Sequence, residues 1–223
     1  MRLFRDRVDA GTRLGAHLAT RLPERGSAVT VLGIPRGGVI VAGPVADALE
    51  APLDVVVPRK VGAPDNPELA VAAVALAEGE QIVVRDEPTL RLLHVGEAYL
   101  DRAAARERHE IVRRLAAYRR DRPPAPVSGR VVVVVDDGLA TGLTARAAAQ
   151  ALVRLGPLRL LVAVPVAPPE AVAELVAEGI EVEVLEFPSP FRAVGRFYDS
   201  FEPVEDEEVV AALRAREGRF RPA

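Results

Sequence analysis

Apolar residues in this chain fall in short blocks, at 29–34, 53–57, 131–135, 158–164 and 180–185, the valines of 131–135 with no polar residue among them. Blocks of that length, rich in valine, are the pattern of strands covered on both faces, and such strands belong to parallel sheets. Between the blocks the period changes. Residues 39–49, 145–155 and 169–177 read as helices, the last with proline at its start. Residues 3–22 put Phe4, Val8, Leu14, Leu18 and Leu22 roughly on one side of another helix, closed by Pro23 and Gly26. This alternation from residue 29 to 185 predicts one α/β domain on a doubly wound, mainly parallel sheet.

Two segments depart from the rhythm. Residues 71–76 and 81–84, joined through Glu78, Gly79 and Glu80, read as a hairpin that follows the turn-rich stretch 62–67. Residues 97–120 form one long helix without Gly or Pro, carrying seven arginines among Asp101, Glu107 and Glu110. It reads either as a solvated helix laced by i,i+4 ion pairs or as a homodimer contact that lends an arginine to a neighbouring site. His109 and Glu110 begin like a zinc-protease helix, but position 113 is arginine rather than histidine.

Composition narrows the chemistry. A chain of 223 residues suits one domain, and a net charge of -3 removes a broad basic surface for nucleic acid, so anion recognition must be local. No apolar run approaches the ~18 residues of a membrane span, and the first residues lack a signal-peptide core. A cytoplasmic protein with no membrane partner is expected. Without cysteine there is neither a disulfide framework nor a thiolate metal site. Of the 29 basic residues only Lys60 is a lysine, and this arginine bias, with few labile residues, fits a thermophile.

The local candidates stand where apolar blocks end, which is where ligands bind in open α/β sheets. After 131–135 come Asp136 and Asp137, then Gly138, Leu139, Ala140, Thr141, Gly142, Leu143 and Thr144, opening a helix. Glycines let successive N–H groups point inward, threonine hydroxyls add donors, and the helix N-terminus favours an anion, so this is a phosphate cradle. The two carboxylates cannot bind phosphate; they imply a hydroxyl-bearing ligand, a cation, or both. After 29–34, Arg36 with Gly37 and Gly38 makes either a second anion-binding turn or a plain tight turn. Arg59 and Lys60 follow the block at 53–57 in the same way.

The run at 132–144 resembles the phosphoribosyl-pyrophosphate (PRPP) signature of type I phosphoribosyltransferases: four hydrophobics, two acids, then a loop ending in Thr-Gly-x-Thr. The resemblance extends over residues 29–185. It implies that Asp136 and Asp137 hold the ribose 2- and 3-hydroxyls and that residues 139–144 hold the 5-phosphate. Arg36, Gly37 and Gly38, with Arg59 and Lys60, then grip the pyrophosphate, and the catalytic roles fall on Lys60, Arg36 and Asp137. Mg²⁺ is expected to be held mainly by substrate oxygens and water, without direct protein ligands.

The resemblance further implies a strained or cis peptide in the 35–38 turn, a mobile flap within 61–85 and a hood at about 185–204. Gly138 replaces the family's usual aliphatic residue or serine, which implies a looser loop. In the hood, residues 187–201 hold five of the nine aromatics. These either seal a core edge or stack on a planar base, with Phe191, Phe197 and Tyr198 as candidates. The implied reaction moves ribose 5-phosphate from PRPP to a nitrogenous base and releases pyrophosphate. A regulatory PRPP or nucleotide sensor on the same fold is the alternative. A P-loop hydrolase is excluded by the lack of a Walker A frame around Lys60.

Overall fold

The computed structural model describes residues 2–77 and 79–218. Its centre is a five-stranded sheet, parallel throughout, in the order β2 (Leu53–Val55), β1 (Val29–Gly33), β6 (Val131–Val135), β7 (Arg159–Val166), β8 (Glu181–Glu186). The valine block of β6 is fully buried because it lies mid-sheet with helices on both faces. Val131, Val133 and Val135 pack toward α1 (Arg7–Arg21), α2 (Gly37–Ala48), α4 (Glu97–Arg119) and α7 (Asp206–Arg214). Val132 and Val134 pack toward α5 (Leu143–Val153) and α6 (Pro169–Ala177). Period-two alternation thus places neighbouring valines in opposite cores.

The first helix starts later than its hydrophobic pattern suggests. Asp6 caps α1 by accepting from the Asp9 N–H, and Phe4 lies outside the helix, bridged to Tyr198. Val8 is 53% exposed. The packed face runs instead through Ala10, Gly11, Leu14, Gly15 and Leu18, with Gly11 and Gly15 set against the α2 backbone too closely for a side chain. His17 lies off that stripe, its Nε2 2.9 Å from Glu183 Oε2.

The expected hairpin is present as β4 (Asn66–Ala77) paired with β5 (Glu80–Arg85), and β3 (Arg59–Ala63) joins it to make a second, antiparallel sheet of three strands. Glu78, in the expected connection, lies outside the described residues. The body of this sheet belongs to the core. Val71, Ala72 and Val74 join the cluster under α4, while Ala73, Ala75 and Ala77 pack on Leu143, Ala147 and Ala151 of α5. Residues 64–69 stand exposed at the β3–β4 turn. Within the 61–85 span expected to hold a flap, residues 79–81 at the start of β5 are exposed as well. A short helix, α3 (Glu87–Leu92), follows with Asp86 as its cap.

The arginines of α4 are largely engaged within the chain. Arg113 and Arg114 bond Glu110, and Arg119 bonds Asp54, a carboxylate only 2% exposed that also accepts the Ala125 N–H. Asp54 thereby ties the end of α4 and the stretch 122–128, with its three prolines, to β2. Among the described residues no helix is long and apolar enough to cross a membrane.

Candidate active site

Parallel pairing of Gly33 with Val135 sets the turns that leave β1 and β6 side by side. They interlock. A methyl at Gly38 would come within 2.7 Å of the Val135 carbonyl and 2.8 Å of Asp136 Cα, and one at Gly37 would fall on Asp137 Oδ2. Gly38 must be glycine for backbone to lie against the acid pair, while at Gly37 the carboxylate of Asp137 and the Arg7 side chain fill the space. The Pro35–Arg36 peptide between them and the strand is cis, as the resemblance implies.

Asp137 donates its N–H to Asp136 Oδ1 at 2.8 Å, and its own Oδ2 accepts from Arg7 Nε at 2.8 Å. Burial, then the neighbouring charge of Asp137, pushes the Asp136 carboxyl well above the usual carboxylate range. The Asp137 N–H and the charges of Lys60 and Arg7 pull the other way. Burial raises Asp137 as well, against the Arg7 hydrogen bond. Two adjacent, partly buried carboxylates form a site suited to hydroxyl donors or a cation.

The loop beyond them is pinned at one end and open at the other. Leu139 N–H donates to the Val166 carbonyl at 2.9 Å, and Gly142, at φ 72°, turns the chain into α5. The Arg146 N–H bonds the Gly142 carbonyl, leaving the N–H groups of residues 140–145 without a backbone acceptor among the described residues. Ala140 and Thr141 are exposed, and with Lys60, Leu69, Arg146 and Glu170 they line a cavity of about 890 Å³. Those free donors at a helix start are what an anion needs.

Gly138 is not a source of slack. A methyl there would lie 2.7 Å from Val194 Cγ1 and 2.9 Å from Val166 Cγ2, because the hood closes directly on this position. Gly138→Ala is expected to cost about 1–3 kcal/mol through overpacking. Its urea midpoint should fall with the slope unchanged, and a parent-like midpoint would show that the contact yields freely.

The three cations nominated by the sequence differ in what they touch. Arg36 Nη1 lies 3.2 Å from Glu205 Oε2 and 3.9 Å from Asp206 Oδ1, at the start of α7. Arg59 Nε bonds Glu107 Oε2 of α4 at 2.8 Å. Lys60 is exposed and forms no ion pair among the described residues. It is the cation left facing the cavity.

The hood assignment needs correcting. Phe197 is 5% and Tyr198 2% exposed; both are packed with Phe4, and the Tyr198 hydroxyl donates to the Asp137 carbonyl at 2.6 Å. Their faces are covered, so they brace the acid pair from behind rather than offer a stacking surface. Phe191 is partly buried against Phe197 at 5.1 Å between ring centroids. Arg7 is the site residue the sequence reading missed. Its partner stands 130 positions away, and no spacing signal connects them.

Parallel strands ending in an acid pair, a glycine cradle at a helix start and a second glycine turn define an α/β protein whose candidate site lies at the carboxyl ends of the strands. Residues 7–193 match the family described as the phosphoribosyl transferase domain, and the chain belongs to that family. It is 44% identical over 214 residues to "Putative phosphoribosyl transferase Rv0571c" of Mycobacterium tuberculosis strain H37Rv, and equally to its counterpart MT0597 in strain CDC 1551. These alignments cover 96% of this chain and 47% of each relative, so the chain spans about half their length. Among solved structures it is similar to TT1426 from Thermus thermophilus, with 49% identity, a TM-score of 0.78, and coverage of 96% of this chain and 98% of that one.

Proposed function

We propose that this chain transfers ribose 5-phosphate from PRPP to a nitrogenous acceptor, releasing pyrophosphate. The interlock of the Gly37–Gly38 turn with Asp136 and Asp137 carries the reading, since it joins a hydroxyl-binding acid pair to a second anion turn. The loop N–H groups of residues 140–145 hold the 5-phosphate, and the acids orient the ribose ring. Lys60, with the Arg36 turn, stabilises charge as it builds on the departing pyrophosphate. Positioning does most of the work, because the ribose passes through a cation-like state that needs no protein nucleophile.

The residues fit a magnesium ion. Asp136 is a partly buried carboxylate with no side-chain cation in hydrogen-bond contact, suited to a hard cation through water or substrate hydroxyls. Bound Mg²⁺ would supply charge neutralisation on the phosphates.

Ala140 bears on the acceptor. Relatives that use 6-oxopurines usually carry an aspartate at this place, where it can act on a ring proton, and a methyl group can neither accept a proton nor bond a base. Hypoxanthine and guanine are therefore expected to be poor acceptors beside adenine, orotate or a non-standard base. Pyrophosphate release across a base panel, at fixed PRPP and Mg²⁺, tests both points. Guanine or hypoxanthine emerging as best substrate overturns the acceptor reading. PRPP binding without turnover on any base would favour a sensor instead.

A further inference from the structure

We infer that Arg7, from the helix that precedes the sheet, is a positioning residue for the ribose-binding carboxylate Asp137. The inference rests on the PRPP reading above. The Arg7 side chain is 11% exposed, and its guanidinium is held by two hydrogen bonds and one ring face. Nε donates to Asp137 Oδ2 at 2.8 Å, Nη1 donates to the Glu202 carbonyl at 2.8 Å, and the plane lies 3.8 Å over the Phe201 ring. Gly37 completes the enclosure, because a methyl there would lie 2.7 Å from Arg7 Nε. Helix, hood and pyrophosphate turn thus converge on one guanidinium, whose only carboxylate partner is Asp137 among the described residues.

That arrangement does two things for a ribose ligand. A planar guanidinium held at its face by Phe201 and at Nη1 by the Glu202 carbonyl fixes the rotamer of the carboxylate bonded to its Nε, so one Asp137 oxygen is held and the other stays available to a hydroxyl. Its positive charge also opposes the rise that burial imposes on the Asp137 carboxyl. The other groups facing this carboxylate are Asp136 beside it, Tyr198 from the hood, and Lys60 from β3, which acts on Asp136. Of these, Arg7 alone bonds Asp137 as a cation.

A purely structural Arg7 would weaken the fold without regard to Asp137, and a double-mutant comparison separates the two. PRPP affinity, with Mg²⁺ present, is measured by thermal shift or calorimetry across the acid-to-neutral range for parent, Arg7→Gln, Asp137→Asn and the double variant. Arg7→Gln is expected to weaken PRPP roughly tenfold or more, as for loss of one charge-assisted hydrogen bond, and to move the acid limb of binding to higher pH. In the Asp137→Asn background it should add almost nothing. An unmoved acid limb, or equal losses in both backgrounds, overturns the inference. If Arg7→Gln does not fold, Arg7→Lys keeps the charge and loses the fork. It should then bind more weakly with the acid limb unmoved, and parent-like affinity would count against positioning. Failure of the parent itself to bind PRPP would defeat the PRPP reading, not this one alone.

Discussion

Asparagine at both Asp136 and Asp137 is expected to abolish the rise in Tm that PRPP with Mg²⁺ gives the parent protein. A ligand that binds only the folded state stabilises it by mass action, by about 2.7 kcal/mol at a hundredfold excess over Kd. For a chain of this size that corresponds to several degrees, at roughly 2–4 °C per kcal/mol. The ligand-free protein should respond in the opposite sense to Asp136→Asn alone. Both carboxyls have folded-state values above the ordinary 3.8. Their contribution to stability is therefore complete below 3.8 and is lost as pH rises through the raised folded value, so the ionised pair destabilises the fold at neutral pH. An asparagine at 136 keeps an acceptor for the Asp137 N–H and removes the charge, so its Tm should exceed the parent's at neutral pH and lose that advantage in acid. Asp137→Asn should show no such gain, since it strands Arg7. Scanning calorimetry at two pH values, with and without PRPP, reads all of this. A double variant stabilised as much as the parent would make the ribose assignment wrong.

Lys60→Ala carries the second large effect, a fall in kcat of ~10² or more with a smaller change in PRPP affinity. Arg36 and Arg59 already have carboxylate partners, on α7 and α4 respectively. Neutralising the leaving pyrophosphate then falls most heavily on Lys60, which lines the same cavity as Ala140 and Thr141. Steady-state kinetics with any accepted base, supported by pyrophosphate release, measures the split. An unchanged kcat would reduce Lys60 to a surface residue.

The parts of the molecule that could be read from sequence are those whose signal is local. A valine block with no polar alternation can only be a doubly covered strand, and acids followed by small residues at its end mark a loop at the ligand edge of the sheet. The missed parts depend on long-range packing. Gly138 looks permissive along the chain, yet Val194 and Val166 fill the space beside it. Phe197 and Tyr198 look like free rings in a proline-rich loop until Phe4, from the other end of the chain, covers them. Residues 71–77 read as half of a hairpin, but not as core; alanine and valine there are small enough for α4 and α5 to close on both faces. Arg36 and Arg59 are legible as cations near strand ends, while their acidic partners are not, because charge pairing leaves no spacing rule across elements.

The pairing of β1 with β6 has a kinetic side. These strands are adjacent in the sheet but separated in the chain by about a hundred residues, including the whole antiparallel sheet and α4. Contacts of such long sequence separation form late, after loop-closure entropy has been overcome, whereas each βα unit can condense locally. Since the Gly37–Gly38 turn meets Asp136 and Asp137 across that pairing, the proposed PRPP site is expected to be incomplete until β1 and β6 have paired. Ligand competence is thus among the last properties to emerge during refolding, and its appearance marks completion of the fold.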